Sequence, residues 1–349
     1  MELNDRVMGP DGRTLVFGVN SFRSVVCSGE SCFYCGASKG SKPFNDEHVI
    51  PRWLLRKHNM FDQTIRLPNR TSMVYSQYTV PCCEECNSFL GWTIEKPVRD
   101  LFDGGYQNLI EYLKGEGPWL LSVWIALVFF KTHLKDVFLR AYRDQRKPQF
   151  ALGDIYEWED LHHAYCIARI PYVPSTVQSA AFGSVFVFPT VDLPGITCFD
   201  YCDFFKTQSV LIRSNDIGIV AVLNDGFAVH SVLRSELIPR ITGRVTPIQL
   251  REILARVAYT NSLIANRPDF CSEVHTDTGQ HFIHAQTLKS VALEDEEPER
   301  LGGIMTYLLK EFPVLHDSSE RDVVEQRLRS GKVTYLFDEN DEFVDDSPT

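Results

Sequence analysis

The spacing of apolar residues divides the chain into segments of different kinds. The longest apolar run, Trp119 to Phe130, is broken only by Ser122 and then meets Lys131. A membrane-spanning helix needs roughly 20 apolar residues, so this run predicts a buried helix over 118–143 instead. The helix would close on Arg140, Arg143, Arg146 and Lys147, cations that complement a helix C-terminus, with nucleic-acid contact the lesser reading. Residues 180–233 carry β-rich runs at 184–188, 209–213 and 218–223, separated by Ser214-Asn-Asp216 and Asn224-Asp-Gly226. Asn, Asp and Gly accept the positive φ of tight hairpins, so an antiparallel meander is expected. Thr246-Pro247 reads as N-cap and first helical residue, followed by the apolar stripe Leu250, Ile253, Leu254, Val257, Ala258 and Leu263. Shorter helices are expected at 299–312 and 318–330. Near the N-terminus, Arg13–Val19 and Phe22–Cys27 read as hairpin strands. A helix after Cys86 should break at Asp103-Gly104-Gly105.

Together these elements predict an α+β protein. At 349 residues and 44% hydrophobic content, the chain can build two cores. The expected division is a first module over 1–105, a larger α/β accessory domain with an antiparallel sheet over 106–335, and an acidic tail over 336–349. The net charge of −11 argues mildly against a nucleic-acid partner. Much of the acid, however, lies in Glu294–Glu299 and from Asp338 to Asp346, while residues 1–99 hold a small excess of Lys and Arg. Charge therefore neither selects nor excludes DNA or RNA. No segment reads as a signal peptide or a membrane span, so a cytoplasmic protein without a membrane partner is expected.

Of the ten cysteines, four form two Cys-x-x-Cys pairs, Cys32-Phe-Tyr-Cys35 before Gly36 and Cys83-Glu-Glu-Cys86. Each pair places two thiolates on one tight turn, and two such turns complete a tetrahedral Zn²⁺ site. Four thiolates leave no open position, so the metal would be structural. Cys82 is an alternative ligand with poorer spacing, and Cys27 is surplus.

Between the pairs lies Phe44-Asn-Asp-Glu-His-Val-Ile-Pro51, and Asn87 directly follows the last cysteine. The string CFYCG…NDEHVIP…CCEECNSFLG resembles the HNH endonucleases, over about residues 32–98. The resemblance implies a treble-clef-like ββα-metal module, in which a hairpin and a helix clasp a divalent cation and zinc knuckles staple the small core. It implies metal-dependent hydrolysis of phosphodiester bonds, with DNA favoured over RNA. It further implies His48 as general base, and Glu47 and Asn87 as ligands of Mg²⁺ or Mn²⁺. An imidazole with an ordinary pKa near 6.5 suits a base at neutral pH, and oxygen ligands suit those cations.

The sequence departs from that pattern in three places, the first being a glutamate at 47 where aspartate is commoner. The family's middle asparagine, which orients the base, falls at Tyr78, with Ser76 and Gln77 beside it and Gln77 able to offer a similar carboxamide. The last family position falls near Leu90-Gly91, with Glu95 a further candidate beside the site. Arg52, Arg56, Lys57 and His58, with Trp53 among them, are candidates for phosphate contact and base stacking, or a solvated helix face. The pairs His162/His163 and His281/His284 read as a surface loop and a strand-like segment, not as metal sites. A restriction or phage-defence setting follows from family analogy alone. The accessory domain would position substrate, sense a ligand, or bind a partner or a second copy of the chain. A zinc-stapled scaffold that binds nucleic acid or protein without cutting is the rival reading.

Overall fold

The computed structural model describes residues 5–275, 277–286, 290–310, 312 and 321–345. The fold forms two compact units that interleave along the chain. The first holds Met1–Asp103, Pro118–Gln178 and Phe270–His284; the second holds Gly104–Gly117, Ser179–Asp269 and Ala285–Thr349. The long apolar helix thus clusters with the cysteine pairs rather than with the rest of 106–335.

In the first unit, β1 (Phe44–His48) runs antiparallel to β2 (Thr79–Cys83), with Phe44 opposite Cys83 and His48 opposite Thr79. Between them lie α1 (Arg52–Lys57) and a small hairpin of Thr64–Arg66 and Ser72–Val74. From β2 the chain turns directly into α2 (Glu84–Leu90), and a π-helical turn over Gly91–Glu95 leads into α3 (Lys96–Asp103). The predicted break at Asp103–Gly105 is present, and Gly105 takes the positive φ of 75° that suits glycine.

The apolar run forms α4 (Trp119–Asp136), which ends earlier than expected. Its burial on nearly every side accounts for the lack of an apolar–polar period, and among the described residues no single helix is long and apolar enough to cross a membrane. The basic stretch at 140–147 lies outside the helix. Packed against α4 is α5 (Trp158–Ala168), where Phe22, Phe130 and Tyr165 meet with ring centroids 5.0–5.8 Å apart.

Two expectations in this unit need correction. Phe22–Cys27 is no strand: Thr14–Phe17 pairs with Arg6–Met8, and the chain then enters a short helix, Val19–Ser24, that buries Phe22. His162 and His163 lie on α5, not on a surface loop. His163 is buried against the ring of Phe270, and His162 Nε2 is 2.6 Å from the Phe17 carbonyl oxygen. His281 and His284 do lie on a strand, Gln280–Gln286, which runs parallel to Ser175–Val177.

The second unit is built on a four-stranded antiparallel sheet of β3 (Ser184–Pro189), β4 (Phe199–Phe204), β5 (Ser209–Ser214) and β6 (Ile217–Val222), in the order β3-β6-β5-β4. The meander was legible except for β4, whose Asp200, Tyr201 and Asp203 dilute its apolar pattern. The hairpin turn of β5 and β6 is Asn215-Asp216. Asn224–Gly226 instead carries β6 into α6 (Ala228–Glu236), with Asp225 accepting from the Ser184 and Val229 amides at 3.0 and 2.8 Å.

Helix α7 (Pro247–Ser262) opens on a capping box, in which the Thr246 hydroxyl accepts from the Gln249 amide and the Gln249 carboxamide accepts from the Thr246 amide. Its Leu250, Ile253, Leu254, Val257 and Ala258 are fully buried, and a buried Leu or Ile is worth roughly 2 kcal/mol in water removed from apolar surface. Helix α8 (Pro298–Leu309) packs on α7, and α9 (Arg321–Arg329) packs on α8. The expected tail is in part a packed segment. Leu336 and Phe337 are buried, and Gln249 donates to the Val344 carbonyl at 2.7 Å. Residues 346–349, like 311 of the first expected C-terminal helix and 318–320 of the second, lie outside the described residues.

Candidate metal centre and adjoining histidine strand

The first knuckle is a tight turn, closed by the Gly36 amide donating to the Cys32 carbonyl at 2.9 Å. Gly36 has φ of 76°, and a Cβ there would sit 2.5 Å from the Phe17 ring, so both conformation and space call for glycine. In the second knuckle, Cys83 is the extended residue that caps α2 and Cys86 lies in its first turn, which aims both sulfurs to one side. The β1–β2 pairing then brings the knuckles together. Cys32, Cys35, Cys83 and Cys86 form a group whose sulfurs all lie within 4.8 Å of one another, with Cys35 and Cys83 3.8 Å apart.

Thiolates bound to zinc at about 2.3 Å in a tetrahedron stand about 3.8 Å from each other, so these four fit a structural Zn²⁺. They are the one such group of His, Cys, Asp or Glu among the described residues. Cys82 sits close by, 3.9 Å from Cys32, while Cys27 is buried elsewhere. Hydrogen bonds from Cys35, Cys82 and Cys86 hold the Cys32 thiol well below its usual pKa. Hydrogen bonding to Cys32 in turn pushes Cys35 up to about 12 and raises Cys86 as well. Four thiols in one small space share little negative charge without a cation, and a metal removes that restraint.

The candidate catalytic residues stand along β1. Glu47 is buried at 7% exposure, and its Oε1 accepts from the Lys131 ammonium at 2.6 Å. Lys131, fully buried on α4, also donates to the His48 carbonyl at 2.7 Å and lies 3.6 Å from Glu95. Burial and the neighbouring Glu47 charge push Glu95 up to about 8, against the pull of Lys131. The strand end is therefore held by an ammonium from another helix.

The His48 ring lies 5.7 Å from that of Phe61, and its Nε2 is buried without a hydrogen-bond partner. Burial lowers its pKa, and the charges of Arg52 and Lys131 act in the same direction against Glu47 and Asp46. The ring is accordingly neutral at pH 7 and able to accept a proton. Asn87, on α2, donates to the Asn45 side chain at 2.9 Å and faces the Asp46 carbonyl at 3.5 Å. The fold thus brings Asn87 against the strand that carries Glu47 and His48, but no hydrogen bond joins the three.

Tyr78 does not reach His48. It is buried, and its hydroxyl donates to Asp136 on α4 at 3.2 Å. Gln77 is exposed. Trp53 is packed against Phe102 and Trp124 and is not free to stack on a base. Lys131 was missed in the sequence; its signal was a lone charge at the end of the most apolar run. Phe61, in a loop with no motif, gave none. His281 sits 2.8 Å from the Ser175 hydroxyl and belongs to no cluster of three or more candidate metal ligands among the described residues.

No family model matches the chain, and no curated protein or solved structure matches it.

Proposed function

We propose that the chain is a zinc-stapled nuclease of the HNH kind, hydrolysing phosphodiester bonds of nucleic acid, DNA in preference to RNA. One observation carries this reading. A β1–β2–α2 unit built around four clustered cysteines carries, at the end of β1, a histidine whose buried Nε2 has no hydrogen-bond partner.

In the proposed reaction, His48 Nε2 takes the proton of a water as its oxygen bonds to phosphorus; the ester P–O bond breaks and the departing oxygen leaves with its electron pair, taking a proton from solvent to become the free hydroxyl. Lys131 holds the His48 carbonyl and Phe61 packs on the ring, which limits how far the base can turn. Glu47 and Asn87 would hold a Mg²⁺ or Mn²⁺ ion, which when bound supplies charge stabilisation on the phosphate oxygens. The four cysteines carry no step; they fix β2 and α2 against the Cys32–Gly36 turn.

A second reading has its own support. Glu47 is already neutralised by Lys131, as suits a zinc-built scaffold that binds nucleic acid or a protein without cutting. Incubating zinc-loaded protein and its His48→Ala variant with plasmid and single-stranded circular DNA, in Mg²⁺ or Mn²⁺, separates the two. The nuclease reading expects cutting that His48→Ala lowers by about a hundredfold or more, on the order of a general-base contribution. Equal cutting by both proteins, or none by either on any substrate, supports the scaffold.

A further inference from the structure

Beside β1, the outer face of α1 and the π-helical turn leading into α3 enclose an open groove of about 680 Å³. Its lining carries five cations, Arg52, Arg56, Lys57, Lys96 and Arg99, against two acids, Glu95 and Asp103. That is a local reversal of sign in a chain of net charge −11. Three of the cations are engaged. Lys57 and Arg99 both pair with Asp103, at 3.0 and 3.3 Å, and Lys96 pairs with Asp100 at 2.8 Å.

Arg52 and Arg56 are exposed and have no carboxylate partner among the described residues. They stand one turn apart on α1, about 6 Å along its axis. The Arg52 guanidinium lies over Phe61, the ring that packs on His48. The row of free cations therefore leads toward the proposed base.

An exposed aromatic residue stands on the same π-helical turn, whose Gly91 and Glu95 line the groove. Trp92 lies next to Gly91, which lines it, and is 72% exposed, the most of any large apolar side chain described. The π-helical turn causes this by sending Ile94 fully into the core and Trp92 outward. A single exposed apolar residue is ordinary by itself. Cations on the α1 side of the groove and an exposed indole on the turn that forms its other side are the combination that single strands use, backbone on cations and bases on rings.

We propose that this groove holds one unpaired DNA strand, with Arg52 and Arg56 on its phosphates and Trp92 stacked on a base. A paired base is already stacked on its neighbours and offers no free face, so the preferred substrate is single-stranded DNA or an unpaired stretch within a duplex. The inference rests on the nuclease reading for what happens to the strand, but not for how the strand is bound.

The test measures binding without cutting. Fluorescence anisotropy of a short labelled DNA strand, and of its duplex, is followed with the full zinc-loaded chain and no added Mg²⁺ or Mn²⁺. The strand is expected to bind more tightly than the duplex. Trp92→Ala should weaken strand binding about tenfold, in line with the stacking free energy of one base. The Arg52→Ala/Arg56→Ala pair should make the slope of log K against log salt shallower by about 1.4, because two phosphates of a single strand are no longer neutralised. All three side chains are exposed, so unchanged melting temperatures check that the variants fold.

Strand binding unaltered in both variants, or a duplex bound at least as tightly as the strand, would overturn the proposal. Protein that binds this way yet cuts nothing keeps the groove and removes the nuclease reading. Protein that cuts but ignores these three residues does the reverse.

Discussion

Replacing Lys131 by methionine tests how the end of β1 is held. The ammonium is fully buried, 2.6 Å from Glu47 and 3.6 Å from Glu95. At an effective dielectric of about 20 the interaction with Glu47 is worth roughly 6 kcal/mol before the cost of drying the ammonium, which offsets most of the gain. Glu95, raised to about 8, is mostly protonated at neutral pH, so Glu47 is the charge that Lys131 neutralises there. Lys131→Met strands that carboxylate, and breaking a buried pair on one side costs about 3–5 kcal/mol. Urea unfolding of zinc-loaded protein at pH 7 is the assay. Glu95→Gln, which exchanges one neutral group for another, should cost about 1 kcal/mol or less. The double variant Glu47→Gln/Lys131→Met should recover at least about 2 kcal/mol relative to the sum of its single variants. A loss below about 1 kcal/mol for Lys131→Met, or strict additivity of the pair, would refute this account of the site.

Other consequences follow from the same geometry. Elemental analysis should find about one zinc per chain, and Cys86→Ser should lower both zinc content and unfolding temperature; a folded protein with near-zero zinc would remove the staple. His281, buried beside the Ser175 hydroxyl, has its pKa lowered to about 4, chiefly by burial. Because the unfolded chain then binds the extra proton, the contribution is complete above about pH 6.5 and is lost as pH falls toward 4. It amounts to about 3 kcal/mol, and denaturant titrations across that window should lose part of their pH slope in His281→Gln. An unchanged slope would contradict the assignment.

The elements whose residues speak for themselves were legible. Thr246-Pro247 and Gln249 announce the start of α7 by local chemistry, and the two Cys-x-x-Cys pairs announce their cluster because four sulfurs have few other uses at that spacing. Phe22–Cys27 failed because its apolar residues suit a buried helix as well as a strand, and only packing against α4 and α5 decides. Asn224–Gly226 is good turn chemistry in either setting, so its use before α6 rather than inside a hairpin depends on Asp225 finding Ser184. At the site, Glu47, His48 and Asn87 could be read from one string. Their fixing group, Lys131, stands far along the chain on a helix whose preceding residues are apolar but for Ser122. Trp53 and Trp92 show the same limit: which of the two indoles is left exposed is settled by the π-helical turn and by Phe102.

The central claim is that His48 acts as a base in phosphodiester hydrolysis, and chemical rescue tests it most directly. A His48→Gly variant, zinc-loaded and given Mg²⁺ or Mn²⁺, should cut DNA at about a hundredth of the wild-type rate or less, and added imidazole should restore cutting in proportion to its concentration. A His48→Gly protein that cuts at the wild-type rate without imidazole would contradict the account.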